Sequence, residues 1–361
     1  MGSTGTTSVA GPAEDGDRRN VSDAAGVIAL GGCATWSLIT ATAHDGRPEG
    51  VLLAVLAVAA GYAAGRICGA LLPVAALCAG SLAGLVVMLA VPRLAAGPQI
   101  DAPLGHAGGT AALLTLCTGA ACCAAWEAGS PALRFALGAL AAGITAAAPL
   151  LGSISGFIGC TAVLLCSLAA GRMRRRALGM AGLALGAAAA GLLTWTIAAG
   201  AVPGGLTASL QGELTPYRLR LWHDALLLSH DNAGLGVGPG RFGEVSATAT
   251  RTLSSDGKPH SALLQQAAEQ GVVGVLLLGA VFGWLLYTLW RSPRPTPVVL
   301  TAGAALTLLA AIASVGNALS FTAVSVGAGL LAGLATARPL ADGSPEQEAP
   351  RVRPQGDRLT P

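Results

Sequence analysis

One polar segment of this chain, residues 201–262, separates two strongly apolar regions and carries the side chains best suited to chemistry. The candidates in or next to it are Arg218, Arg220, Arg241, His260 and Ser261. A positioned imidazole can accept a proton from a hydroxyl group. Guanidinium groups can stabilise charge on phosphate oxygens without a metal. Together these residue types favour attack by a sugar hydroxyl on a sugar carried by a lipid diphosphate.

The end of this segment predicts a helix start. Pro259 precedes His260 and Ser261, and the chain then runs directly into an apolar stretch. A helix N-terminus carries free N–H groups and partial positive charge, which attract anions. We therefore predict that Ser261 contacts substrate and that a neutral His260 acts as the base. A histidine that is merely packed within the protein is the alternative interpretation.

Two further stretches of the segment are predicted to have local structure. Residues 216–230 have the pattern of an amphipathic helix, with Leu219, Trp222 and Leu226 at helical spacing. This helix either lies at the membrane interface or presents Arg218 and Arg220 to an anionic ligand. Residues 232–242 are rich in glycine and form either a phosphate cradle or an irregular turn.

The rest of the chain predicts a membrane protein. Of 361 residues, 53% are hydrophobic and 11% are charged, whereas soluble domains have about 25% charged residues. This composition excludes a soluble enzyme, a DNA-binding domain and a disordered protein. Runs of about the length that crosses a bilayer occur at 24–43, 51–65, 69–91, 108–126, 135–151, 153–171, 177–200, 271–289, 298–315 and 322–337. The predicted fold is an all-α polytopic bundle of about ten transmembrane helices with one large extracytoplasmic loop.

The distribution of basic residues predicts the orientation. Most arginines, including the cluster 172–176, fall on the side that carries both termini, and this side is cytoplasmic by the positive-inside rule. We predict a disordered cytoplasmic tail at 1–22, transmembrane helices 1–7 within 23–200, the extracytoplasmic loop at 201–262, helices 8–10 within 263–337 and a second tail at 338–361. The net charge of +3 is too small to indicate a nucleic-acid partner.

The polar segment also resembles a known family, the O-antigen ligases and O-antigen polymerases. The family pattern is His, then Asn, Ser or Gln, nine residues, Gly, two residues, and Gly, Thr or Tyr. Here it is matched by His260, Ser261, Gly271 and Gly274. Arg218 to Trp222 and the glycine-rich stretch are similar to a second family motif. The resemblance covers roughly residues 100–290 and includes a weaker segment that begins at Pro103.

The resemblance implies a membrane glycosyltransferase whose donor is a glycan on undecaprenyl diphosphate and whose acceptor is a glycan or lipid. It assigns the catalytic roles to His260 and Arg218, with no cofactor. Within the polar segment 201–262, no Asp-x-Asp pair and no His/Cys cluster suggests a metal. The family often has Ser-Arg-Ser or Ser-Arg-Gly where this chain has Ser153-Ile154-Ser155. Another arginine, Arg220, Arg241 or Arg93, would then take the role of the arginine that is absent at position 154.

Three functional interpretations stay open. The first is a ligase or a polymerase, which share these motifs, acting in cell-surface polysaccharide synthesis. The second is a transporter or flippase of lipid-linked glycans, although the predicted spans contain almost no ionisable groups. The third is a non-catalytic relative, which the absence of an arginine at position 154 favours.

Overall fold

The fold is given by a computed structural model that describes residues 12–94, 107–201, 215–251 and 258–338. For residues 12–21, 90–94 and 107 it describes the backbone alone. These ranges are 84% helical and contain no strand. The helices are α1 (Pro12–His44), α2 (Glu49–Leu71), α3 (Pro73–Leu94), α4 (Ala107–Glu127), α5 (Pro131–Leu150), α6 (Ile154–Ala170), α7 (Arg176–Ala198), α8 (Pro216–Asp231), α9 (Phe242–Val245), α10 (Ala247–Thr250), α11 (Ala262–Arg291), α12 (Thr296–Val315) and α13 (Thr322–Thr336), with a 3-10 turn at Ala318–Ser320.

The protein is an all-α polytopic membrane protein, as the apolar runs predict. Each of the ten predicted runs coincides with a helix. Within the described ranges, seven helices are long and apolar enough to cross a membrane. The other three runs form shorter apolar helices, Pro73–Leu89, Ile154–Ala170 and Thr322–Thr336. The predicted tails at 1–22 and 338–361 lie largely outside the described residues, and α1 begins at Pro12.

One helix extends beyond its apolar run. The run 51–65 predicts a helix that stops before Arg66, but α2 continues through Arg66 to Leu71. The guanidinium of Arg66 is accommodated there because Nη1 donates to the Tyr62 hydroxyl at 3.1 Å and pairs with Asp23 at 3.4 Å. A charged residue near a helix end is tolerated when such partners surround it.

Glycines bring α2 and α13 into close contact. A Cβ on Gly65 would lie 2.4 Å from the carbonyl oxygen of Leu330, and one on Gly333 would lie 2.3 Å from that of Tyr62. Small residues at four-residue spacing permit this approach in membrane helices. Gly329 and Gly333 have this spacing and lie at the contact, whereas Gly182, four residues before Gly186, has no neighbour within 4 Å of its Cβ position.

A buried ion pair joins several helices at one end of the bundle. Arg294 Nη1 lies 2.9 Å from Glu127 Oε2, and the Arg294 side chain is 3% exposed. Its Nε and Nη2 donate to the carbonyls of Ala337 and Gly69, each at 2.8 Å. These carbonyls follow α13 and end α2, where helices lack internal donors. This arrangement fixes the end of the bundle that is remote from the polar segment.

The polar segment folds onto the opposite end as a small helical layer. Its core is a cluster of buried side chains that α8, α9, α10, α7 and α11 contribute. The largest of these are Trp222 and Phe242, both fully buried. Asp224 attaches the short helices to α8, because its Oδ2 accepts from the Ser246 hydroxyl at 2.7 Å and from the Thr248 amide at 2.8 Å.

Candidate functional site

Helix α8 holds the turn that precedes α11. The indole Nε1 of Trp222 donates to the carbonyl of Pro259 at 2.7 Å. Arg218 lies one turn earlier on α8, and its Nη2 donates to the carbonyl of His260 at 3.3 Å. Arg218 Nη2 also donates to the carbonyl of Val315, the last residue of α12. The guanidinium therefore links three elements, and it lies 6.0 Å from the centre of the Trp222 ring.

The α8 helix itself follows the prediction for residues 216–230. Thr215 accepts a hydrogen bond from the Arg218 amide as the N-cap, and Pro216 occupies the first turn. Leu221, Trp222 and Ala225 are buried within the protein. The apolar face therefore packs on α11 and α7 rather than on lipid, so the interpretation as an interfacial helix is wrong for this face.

His260 has an unusual backbone conformation. Its φ is +50°, in the left-handed region that few residues other than glycine adopt. The neighbours maintain it, since the carbonyls of Pro259 and His260 bond to α8 and Ser261 begins α11. The hydroxyl of Ser261 accepts from the Leu264 amide at 3.3 Å. The predicted helix start is therefore confirmed, and Ser261 is its N-cap.

The glycine-rich stretch packs its backbone against a break in α11. At Gly271 the helix is interrupted, with φ +66° and ψ −163°. The amides of Val237 and Gly238 donate to the carbonyls of Ala268 and Glu269, each at 2.9 Å. These two amides satisfy carbonyls exposed by the break. The phosphate-cradle hypothesis is therefore wrong for these amides, and the stretch is a structural turn there.

The break also explains two glycine positions. A Cβ on Gly236 would lie 2.3 Å from the carbonyl carbon of Glu269, and one on Gly271 would lie 2.5 Å from the carbonyl oxygen of Gly234. Both residues have positive φ. Only glycine both adopts a positive φ without strain and leaves the space that a Cβ would occupy free for the neighbouring backbone. On the other side of the break, Trp36 Nε1 of α1 donates to the carbonyl of Gln270 at 3.0 Å.

A large cavity of about 1080 Å³ runs along α11 between α2, α7, α12 and α13. Its lining on α11 extends from Ala262 to Leu286, a length of about 35 Å at 1.5 Å per residue. The lining changes character at the Gly271 break. Before it, the α11 lining includes Gln265, Gln266, Glu269 and Gln270, and after it the lining is apolar.

The polar end of the cavity contains residues that the sequence did not single out as site residues. Glu269 is 5% exposed, and both of its carboxylate oxygens lie 3.4 Å from the side-chain amide nitrogen Nε2 of Gln265. Lys258 and Arg47 supply two positive charges to the same lining, and Glu49 supplies a second carboxylate beside Glu269. Arg47 Nη2 also pairs with Glu244 at 3.4 Å. One available signal was that Lys258 is the sole lysine of the chain and lies two residues before His260. Nothing in the spacing of Arg47 indicated its proximity.

The structure brings His260, Ser261 and Arg218 together but does not place them on the cavity lining. Lys258 and Ala262, which flank His260 and Ser261 in the chain, do line the cavity. The imidazole is half-buried. Arg218 is occupied with backbone carbonyls, so the contacts described for it are those of a positioning residue. The catalytic assignments of both residues stay predictions.

The other predicted arginines are Arg220, Arg241 and Arg93. Arg220 is exposed on α8. Arg241 Nε pairs with Glu244 at 3.3 Å, and its Nη1 donates to the carbonyl of His44. It thereby attaches the glycine-rich stretch to the turn between α1 and α2. Arg93 belongs to α3, but its side chain lies outside the described residues.

Ile154, which replaces the family arginine, begins α6. It is 66% exposed and does not line the cavity. Its neighbour Ser153 is the N-cap of α6, since its hydroxyl accepts from the Gly156 amide at 3.1 Å.

Comparison with known proteins identifies the segment that contains this geometry. Residues 138–279 match a family described as O-antigen ligase. The match includes α8, the glycine-rich stretch, His260 and the Gly271 break. No curated protein matches the chain. The family is glycosyltransferase-like and uses lipid-linked glycans in general. Through residues 138–279, this multi-pass membrane protein is similar to the O-antigen ligase family.

Proposed function

We propose that the protein transfers or polymerises glycan from an undecaprenyl-diphosphate-linked donor to an acceptor hydroxyl on the outer face of the cytoplasmic membrane. The observation that supports this most is the cavity along α11. It combines a charged and polar end beside Lys258 with a long apolar cleft. This division suits a molecule with a diphosphate head and a polyprenyl chain. Both termini would then be cytoplasmic.

The proposed reaction is a metal-independent displacement at the anomeric carbon of the donor. The acceptor oxygen forms a bond to that carbon while the bond from the carbon to the diphosphate oxygen breaks. The leaving diphosphate keeps the electron pair, and the acceptor proton passes to the imidazole of His260. Lys258 and Arg47 stabilise the negative charge on the departing oxygens. Arg218 holds His260 in place, and Arg220 and Arg241 are further candidates for substrate contact.

A histidine substitution with a matched control tests this proposal. His260→Ala should reduce glycan transfer by the purified protein in liposomes that contain lipid-diphosphate glycan donor and acceptor. A positioned acid or base contributes about 10²–10⁴-fold to rate. His223→Ala removes an exposed histidine of the same segment and should leave transfer unchanged. Full transfer by the His260→Ala protein would overturn the assignment of the base.

A transporter of lipid-linked glycans is the second candidate, and the buried Glu269 in the cavity favours it. Ionisable groups inside helical bundles often mark transport pathways. The same liposomes separate the two functions, because a transporter would move labelled donor across the bilayer without forming a glycosidic bond. Movement of donor in the absence of acceptor, with no product, would replace the proposed function by transport.

A further inference from the structure

A second cavity, of about 490 Å³, lies at the end of the bundle opposite to the proposed site. It is formed where α2, α11 and α13 end and where the membrane-crossing part of α1 begins. Arg66, Arg291 and Arg338 all line it, together with Asp23 as the single acidic residue of the lining. Three guanidinium groups and one carboxylate give this cavity an excess of positive charge.

Arg66 and Arg291 differ from the residues that bond to the exposed carbonyls at the helix ends. The carbonyls of Ala337 and Gly69 accept from Arg294, and the carbonyl of Ser292 accepts from Arg176 Nη1 at 2.9 Å. Neither Arg294 nor Arg176 lines the cavity. The partial negative charge of the helix ends is therefore offset by other side chains.

The walls of the cavity combine this charge with apolar surface. Ile67 and Leu71 of α2 line it and are 62% and 60% exposed. Large apolar side chains exposed on a membrane helix face lipid. The Tyr62 hydroxyl and Arg66 lie beside them. The cavity is therefore open where the apolar surface of the bundle meets its charged end, which is the depth of a phospholipid headgroup.

We propose that this cavity binds the headgroup of an anionic phospholipid, with the phosphate against Arg66 and Arg291 and an acyl chain along Ile67 and Leu71. Basic pockets between transmembrane helices on the cytoplasmic side suit such headgroups. The adjacent exposed apolar side chains favour a lipid over a soluble anion. This inference rests on the charges and the position of the cavity and on the predicted cytoplasmic orientation of this end of the bundle, and it does not depend on the proposed reaction.

Native mass spectrometry of the full chain, released from nanodiscs of equal parts phosphatidylcholine and phosphatidylglycerol, tests the proposal. The wild-type protein should retain bound phosphatidylglycerol preferentially. Each basic residue near a membrane surface changes affinity for anionic lipid by about fivefold. Arg291→Gln should thus weaken retention by about fivefold and the pair Arg66→Gln/Arg291→Gln by about twenty-five-fold. Arg172→Gln/Arg174→Gln removes the same charge from exposed positions outside the cavity and should retain the lipid.

Equal retention by the wild type, the cavity pair and the control pair would overturn the proposal. So would equal loss in both pairs, because it would show a general effect of charge. Inorganic phosphate provides a second arm. If phosphate alone raises the melting temperature of the detergent-solubilised wild type as much as phosphatidylglycerol does, the ligand is a soluble anion and not a lipid. Size-exclusion profiles check that each variant is folded.

Discussion

Arg218 Nη2 donates to the backbone carbonyl of His260 at 3.3 Å and so ties α8 to the turn that begins α11. The two residues are separated by 42 positions in the chain. The same guanidinium bonds to the carbonyl that ends α12. The position of the imidazole, at the end of the bundle where the polar segment packs, therefore depends on α8. Neither Arg218 nor His260 lines the large cavity.

Replacing Arg218 should disturb the position of His260. A displacement of about 1 Å can reduce a reaction rate by about 10²-fold, and we expect a loss of this order in kcat for Arg218→Ala. Arg218→Lys should recover part of the activity, since an ammonium keeps the charge and can donate to a carbonyl but is a shorter-reaching point charge without the planar fork of the guanidinium. Kinetic measurement of transfer with purified variants checks this.

His230→Ala is the matched control, because His230 lies on the same helix, is exposed and has no proposed role in the site. It should leave kcat near the wild-type value. If His230→Ala were as impaired as Arg218→Ala, the bond to His260 would not be the reason for the loss. A selective rise in KM for Arg218→Ala would instead point to direct substrate binding by Arg218.

Gly236→Ala should destabilise the packing of the glycine-rich stretch on α11. The new Cβ would lie 2.3 Å from the backbone of Glu269, and the residue has φ +69°. Left-handed conformation costs a non-glycine residue about 1–2 kcal/mol, and overpacking costs about 1–3 kcal/mol. The combined loss should appear as a lower melting temperature in detergent and as lower transfer activity.

Gly234→Ala provides the comparison for that variant. Gly234 lies in the same stretch, and its Cβ position has no neighbour within 4 Å. Its melting temperature should stay close to that of the wild type. Similar losses in both variants would show that the whole stretch tolerates no side chain, whatever its contact with α11.

Gly65→Ala should weaken the contact between α2 and α13. The added Cβ would lie 2.4 Å from the carbonyl oxygen of Leu330, so the two helices must separate, and overpacking of this kind costs about 1–3 kcal/mol. Thermal unfolding in detergent measures the effect. Gly182→Ala, in open space on α7, should not lower the melting temperature, and a comparable drop there would contradict the argument.

Ile154→Arg should leave transfer activity almost unchanged. Position 154 is 66% exposed and does not line the cavity, so a guanidinium there would not join Lys258 and Arg47. Transfer assays on wild-type and Ile154→Arg proteins decide this. A tenfold or greater gain, on the order of 1.4 kcal/mol of transition-state stabilisation, would show that the donor diphosphate binds near α6 instead.

The positions of the helices could be predicted from the sequence because bilayer thickness and apolar length are directly related. The ten runs, the amphipathic pattern of 216–230 and the Pro259-Ser261 helix start all correspond to helices. The apolar run 51–65 is shorter than α2, because hydropathy does not reveal that Tyr62 and Asp23 are partners of the Arg66 guanidinium.

The arrangement of the site was decided by tertiary structure. The glycine spacing at 271 and 274 was visible in the chain, but the partner of the break, the 233–238 stretch, became apparent only when the two were packed together. The same holds for Arg218, whose partners are backbone carbonyls that every residue possesses. Residue types and spacing specify which groups are available, whereas contacts with backbone atoms carry no signal in the side-chain sequence. The cavity that joins Arg47, Lys258 and Glu269 exists because three distant segments meet at one end of α11.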